Sequence, residues 1–234
     1  MSGESRSLSS KLLLLLVMGS MPVALYMAFI YAPEEASMGP VQRIFYFHVS
    51  SAWIAFLAYF VIFVGSLGYL IKRSPKMDSL AHGAGEVGFM FCSLVLITGP
   101  LWAKPVWGLW WPWDARITST FALWLLYASY LSVRHFFEES GRSATLGAVV
   151  GIIGFIDVPI VYFSIRWWRT HHPAPVILGG EGSGLDPQMY TALWVTLGAF
   201  LALFSFLLWQ VFTLRSVERE IFSIRRRMVI LASK

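Results

Sequence analysis

Apolar runs about as long as a bilayer is thick recur along this chain, and no other feature constrains its fold as strongly. A helix needs about 20 mainly apolar residues to cross a hydrocarbon core roughly 30 Å thick, and helices satisfy their own backbone polar groups in lipid. The runs here have helical length: Leu12–Ala32, Ser51–Ile71, Ala81–Leu101, Ile117–Ser132, Leu146–Ile165 and Met189–Leu214. Charged residues make up 13% of the chain, against about 25% in soluble domains, and hydrophobic residues 57%. The expected fold is an all-α integral membrane protein of six transmembrane helices, a single domain over residues 1–234. Lys72-Arg73-Ser74-Pro75 and Gly99-Pro100 punctuate the second and third spans.

Sidedness follows from lysine and arginine, which favour cytoplasmic loops. Thirteen of the 18 fall in the N-terminus, the second and fourth loops and the tail 215–234. The other five lie in the first, third and fifth loops, so both termini are expected in the cytoplasm and those three loops outside. Arg6 and Lys11 ahead of a leucine run resemble a signal peptide, but about 21 apolar residues suit a retained anchor better. Much of the net charge of +5 sits around Arg225, Arg226 and Arg227, where lipid head groups or a cytoplasmic partner account for it without nucleic acid. Cys92 is the single cysteine, so the chain has neither an intrachain disulfide nor a CxxCH site for covalent haem. The longest outer loop is rich in glycine, at Gly179, Gly180, Gly182 and Gly184.

The third loop, residues 101–116, holds the most unusual composition: Trp102, Trp107, Trp110, Trp111 and Trp113, five of eleven tryptophans, followed by Asp114. Single interfacial tryptophans such as Trp53, Trp124, Trp194 and Trp209 fit an aromatic belt. Five in one loop call for another reason. Trp107, Trp110, Trp111 and Asp114 follow helical spacing, while Pro112 disfavours helix at Trp111, so a short turn from about Pro105 to Trp111 along the membrane surface is expected. Such a shelf suits a flat, mostly apolar ligand with a polar edge. A porphyrin fits, with Lys104 and Arg116 near its propionates; a sterol or a quinone fits the aromatic surface as well.

The histidines bear on that choice. His48 lies where the first outer loop enters the second helix, and His171 and His172 follow the fifth helix after Arg166-Trp167-Trp168-Arg169. Two histidine sites thus share a face and a depth with the tryptophan loop, an arrangement able to bracket a haem iron from opposite sides. His82 and His135 fall at the opposite ends of the third and fourth spans.

On these residues the chain resembles a known family. Trp107-Gly108-Leu109-Trp110-Trp111-Pro112-Trp113-Asp114 resembles the WGxxWxWD signature of the haem-handling superfamily. "FYFHVSSAW" at the second helix and "RWWRTHH" after the fifth resemble haem-handling protein C of bacterial cytochrome c maturation, over about Val41 to Leu214. The resemblance implies a multi-pass protein of the bacterial inner membrane that binds haem b non-covalently on the periplasmic side and delivers it to a periplasmic haem chaperone. It implies axial iron ligands at His48 and His172, with His171 an alternative for the second. Trp102, Trp107, Gly108, Trp110, Trp111, Trp113, Asp114 and Arg116 would complete the haem site. It also implies an ATP-binding cassette pair and a small single-helix subunit as partners. The chain itself would be a haem-binding and delivery protein and no enzyme, with any ATP hydrolysis left to the partners, since it has no GxxxxGK[ST] phosphate loop to bind nucleotide by that route.

Asp157, in the middle of the fifth span beside Val158-Pro159, should face protein, because a lone aspartate in lipid costs about 2.5 to 3.5 kcal/mol on insertion scales. Either a relay or a hydrogen-bonded helix contact would explain it. His82 and Glu86 form an i, i+4 pair read as local stabilisation, and Glu34 and Glu35 as solvated loop charges. Two rival functions use other residues. A b-type electron-transfer cytochrome would place a second haem at His82 and His135, and a transporter would use Asp157 and Pro159 as a broken helix near a midplane site.

Overall fold

The computed structural model describes residues 3–137, 142–173 and 184–232. Among them the regular structure is helical, apart from an isolated bridge between Glu35 and Gly39. Helix α1 (Gly3–Tyr26) continues through a π turn at Met27–Tyr31. A 3₁₀ turn at Pro40–Arg43 leads into α2 (Ile44–Lys72), and α3 spans Pro75–Trp107. Next come α4 (Ala115–Phe136), α5 (Ser143–Gly154), α6 (Asp157–Trp167) and the long α7 (Pro187–Ala232). Gly179, Gly180 and Gly182 of the glycine-rich loop lie outside the described residues.

Five helical stretches are long and apolar enough to cross a membrane: Leu8–Tyr31, Pro40–Lys72, Pro75–Trp107, Ser143–Trp167 and Pro187–Arg225. The remaining expected span is α4, whose 22 residues reach the length required. The fifth span is broken at Phe155 and Ile156 into α5 and α6. Asp157 is the first residue of α6, and its Oδ2 is buried there without a hydrogen-bond partner among the described residues.

The helices pack through small residues and tyrosines. Tyr59, Tyr127 and Tyr130 are fully buried in a core with Ile54, Ala58, Ile62 and Phe91. Tyr127 donates to the carbonyl of Ala55 at 2.6 Å, joining α4 to α2. At Gly88 a Cβ would lie 2.4 Å from the Tyr127 hydroxyl oxygen and 2.7 Å from the Ala58 Cβ, so only glycine permits this approach of α3. By contrast α1 packs chiefly on α7, leaving Leu8, Leu12, Leu15 and Leu16 exposed. Such an unpaired apolar face suits lipid.

At one end of the bundle, Arg43 reaches back to the carbonyls of Ala28 and Phe29, acceptors at the π turn. At the other end charges join three helices. Arg134 of α4 forms a buried two-armed pair with Asp78 of α3, and Arg215 of α7 donates to Glu86 of α3 at 2.8 Å. His82 links these pairs, with Nδ1 3.3 Å from Arg134 and Nε2 3.2 Å from Glu86. The expected i, i+4 contact between His82 and Glu86 is therefore one link in a longer chain.

Candidate functional site

The tryptophan segment departs in its local geometry from the sequence expectation. A separate surface turn over Pro105–Trp111 does not form. Instead α3 runs unbroken past Pro100 and Pro105 to Trp107 and stops at Gly108, whose φ of 75° closes the helix in the left-handed region. Lys104 adds a hydrogen bond to the Gly108 carbonyl at 2.9 Å. Residues 109–114 then cross without helix to α4. Asp114 caps that helix, its Oδ1 accepting from the Ile117 amide at 3.0 Å.

His48 comes from the second turn of α2 and His172 from the stretch that follows α6, and both line one cavity between the helices. Trp102, Trp107, Trp111 and Arg116 line it too, over a mostly apolar wall that includes Cys92. Its empty space is about 1200 Å³, open mouth included. Gly108, Trp110, Trp113 and Asp114 are not on this wall. Trp110 and Trp113 are exposed, the latter at 73%, and Trp113 meets Trp111 edge-on at 5.6 Å. The five tryptophans therefore divide into three around the cavity and two on the rim.

The hydrogen bonds fix which imidazole nitrogen faces the cavity. His48 Nδ1 lies 2.8 Å from Thr98 Oγ1. The Thr98 hydroxyl spends its only proton on the Leu94 carbonyl at 2.7 Å, so it accepts from His48 and the proton sits on Nδ1. His172 Nδ1 lies 2.9 Å from the Pro173 carbonyl, which only accepts. Both rings are thus held as the tautomer with a bare Nε2 lone pair, the form that ligates a metal. The pKa of His172 is lowered to about 4, by burial first and by the Arg116 charge second. Its ring is neutral at physiological pH.

Asp114 also ties the loop to the stretch that follows α6. Its Oδ2 accepts from the Thr170 hydroxyl at 2.5 Å and from the His171 amide at 3.1 Å. The Thr170 oxygen in turn accepts from the His172 amide at 3.1 Å. Burial pushes the Asp114 carboxyl up, but the Thr170, Ile117 and His171 donors outweigh it and hold its pKa below the ordinary value. Arg116 donates to the carbonyls of Val161 and Tyr162 at 2.6 and 3.2 Å, tying α4 to α6.

Two further groups bear on what the cavity accepts. The indole N–H groups of Trp102 and Trp111 are buried there without a hydrogen-bond partner among the described residues, a costly state that an acceptor on a ligand would relieve. Together with Arg116 they offer donors to an acidic ligand edge, while the two imidazoles offer lone pairs to a metal. That donor set fits a metalloporphyrin carrying carboxylates. Lys104, also expected near the propionates, is exposed and bonded to Gly108. His171 is exposed, with its ring 6.2 Å from Trp107 and outside the cavity wall. At the opposite end both nitrogens of His82 face Arg134 and Glu86, so neither is spare for an inner haem.

The sequence compares with known proteins as this site would suggest. The family model described as Heme exporter protein C matches residues 4–228. Heme exporter protein C of Bradyrhizobium diazoefficiens is 38% identical over 174 residues, 74% of this chain and 66% of that protein. Heme exporter protein C of Escherichia coli K12 is 32% identical over 174 residues, 74% of this chain and 69% of the relative. A cytochrome c biosynthesis ccmC-like mitochondrial protein of Marchantia polymorpha is 32% identical over 178 residues, 76% of this chain and 75% of that one. This chain therefore spans about two thirds of the first relative's length. With the family model matching almost from end to end, the chain belongs to the heme exporter protein C family.

Proposed function

We propose that this protein binds haem b at the periplasmic surface of the bacterial inner membrane and presents it to a haem chaperone for cytochrome c maturation. The observation that carries this reading is the convergence of His48 and His172, each with a free Nε2, on one tryptophan-lined cavity. Haem is the cargo here. The two imidazoles would hold its iron from opposite faces in a low-spin, six-coordinate state, and Trp102, Trp107 and Trp111 would enclose the ring. The buried indole N–H groups and Arg116 would meet its carboxylates.

The chain's part is binding and handover, with no covalent chemistry of its own. ATP hydrolysis would belong to cassette subunits in the same complex, which would also contain a small single-helix subunit. The names of the relatives, Heme exporter protein C, support haem as the cargo. The excess of lysine and arginine in the tail and in the second and fourth loops supports the outward placement of the cavity.

The test is the absorption spectrum of protein purified in detergent after expression with haem supplied, beside His48→Ala and His172→Ala. The parent is expected to show low-spin haem, and each variant an altered or lost signal. Spectra unchanged in both variants would move the iron elsewhere and refute the site.

A further inference from the structure

The two imidazoles are held in different ways. His48 stands on a long helix, is 8% exposed, packs edge-on against Trp102 at 5.9 Å and bonds through its ring to Thr98 on the neighbouring helix. Moving it would mean moving α2 against α3, the most extensively packed pair in the fold. His172 lies outside any helix, in the bend that follows α6, and is only half-buried. Its ring bonds to the carbonyl of its own neighbour, Pro173, which would move with it.

What keeps His172 in place is a short chain of hydrogen bonds. The Thr170 hydroxyl donates to Asp114 and accepts from the His172 amide, so a single oxygen ties the histidine's backbone to the cap of α4. The His171 amide makes a parallel bond to the same carboxylate. These ties join two loops and no helix core. Local opening draws on such weakly packed, surface-bonded segments.

We infer that the two ligands have unequal roles: His48 keeps the iron while His172 lets go at handover, and Thr170, held by Asp114, is the positioning residue that sets how readily it goes. The inference rests on the haem reading given above. Release is a ligand exchange. One iron–Nε2 bond breaks, its electron pair stays on Nε2, and the proton remains on Nδ1 against Pro173. No electron moves and no oxidant is needed. The open iron face then lies on the side of the stretch that carries His172, where an incoming protein can supply a donor.

Thr170→Val preserves side-chain shape and removes both hydrogen bonds of the hydroxyl, while Thr170→Ser keeps them. In haem-loaded protein, Thr170→Val should retain haem on His48 but show a five-coordinate, high-spin fraction that added imidazole returns to low spin. Its haem should pass to apomyoglobin about tenfold faster than the parent's, the effect of roughly 1.4 kcal/mol of lost hydrogen bonding. Thr170→Ser should match the parent. A second comparison does not depend on how well Thr170→Val folds: His172→Ala should retain five-coordinate haem, and His48→Ala should lose it. Parental spin state and transfer rate in Thr170→Val would overturn the inference, as would haem retained by His48→Ala and lost by His172→Ala. A parent that binds no haem would instead overturn the underlying function, and this inference with it.

Discussion

Thr98→Val is the most informative single change for the ligand chemistry, because it alters the proton on His48 without touching the cavity wall. Valine has nearly the shape of threonine but cannot accept the Nδ1–H that lies 2.8 Å from Oγ1. Leaving that buried donor unpaired costs about 1 to 3 kcal/mol. The ring can escape the cost by moving its proton to Nε2, and that is the tautomer that cannot bind iron. The competent tautomer therefore becomes less favourable by the same margin, which weakens haem binding roughly 5- to 150-fold at about 1.4 kcal/mol per tenfold. The range overlaps the 10- to 100-fold typical of losing an outer hydrogen bond to a metal-bound histidine. Equilibrium titration with haem, followed at the Soret band, measures it directly. Thr98→Ser restores the acceptor and should bind like the parent. A Thr98→Val protein whose affinity stays within twofold of the parent would refute the tautomer argument.

Three other expectations follow from the packing and the charges. Asp78→Asn leaves Arg134, 7% exposed, without its counter-ion, and should lower stability by about 3 to 5 kcal/mol; an unshifted thermal unfolding curve in detergent would contradict this. Gly154→Ala brings a Cβ to 2.0 Å from the Tyr59 hydroxyl oxygen, an overlap expected to cost about 1 to 3 kcal/mol; adding Tyr59→Phe should recover part of the loss, and no recovery would point to another cause. In haem-free protein, NMR of the His172 ring should show no protonation step near pH 6.5, because its pKa is lowered to about 4. The sign follows from linkage. The fold favours the neutral ring, so acidification works against the folded state from about pH 6.5 down to about 4 and adds nothing below that. A titration midpoint near 6.5 would mean that the ring is not buried beside Arg116.

Much of the architecture could be read from apolar run length, since helices in a membrane have to be long and continuous. Pattern failed where local and tertiary forces competed. Pro105 looks like a helix limit, yet α3 runs through it to Trp107, where Gly108 supplies the left-handed stop. The residues that face the cavity were within reach through composition, because tryptophans and histidines are conspicuous. The residues that orient them were not. Thr98 lies fifty positions from His48, and Asp114 fifty-six from Thr170, and a lone threonine in a membrane helix carries no signal of which ring it serves. Arg116 was legible as a cation beside the loop, whereas its bonds to the carbonyls of Val161 and Tyr162 depend on where α6 ends. Trp110 and Trp113 share the motif with Trp111 but not its placement, because the segment leaves helical geometry at Gly108 and no longer puts them on one face.

The two ends of the bundle differ in the kind of bond that closes them, and this bears on how a bound ligand could leave. At the end away from the cavity, the ion pairs Asp78–Arg134 and Glu86–Arg215 tie α3 to α4 and to α7, with the His82 ring in contact with both. Separating α3 from α4 or from α7 there would strand a charge, so that end resists opening. At the cavity end, the ties between 108–114 and 168–173 are neutral donors converging on one carboxylate, each worth about 1.5 to 3 kcal/mol as a hydrogen bond to a charged group. A partner that supplies a replacement donor to Asp114 can offset most of that cost. The core pair Tyr127–Ala55 and the Gly88 contact lie between the two ends and need not change. Opening is therefore expected to stay local to the loop that carries His172, while the helices that carry His48 and Thr98 hold their register.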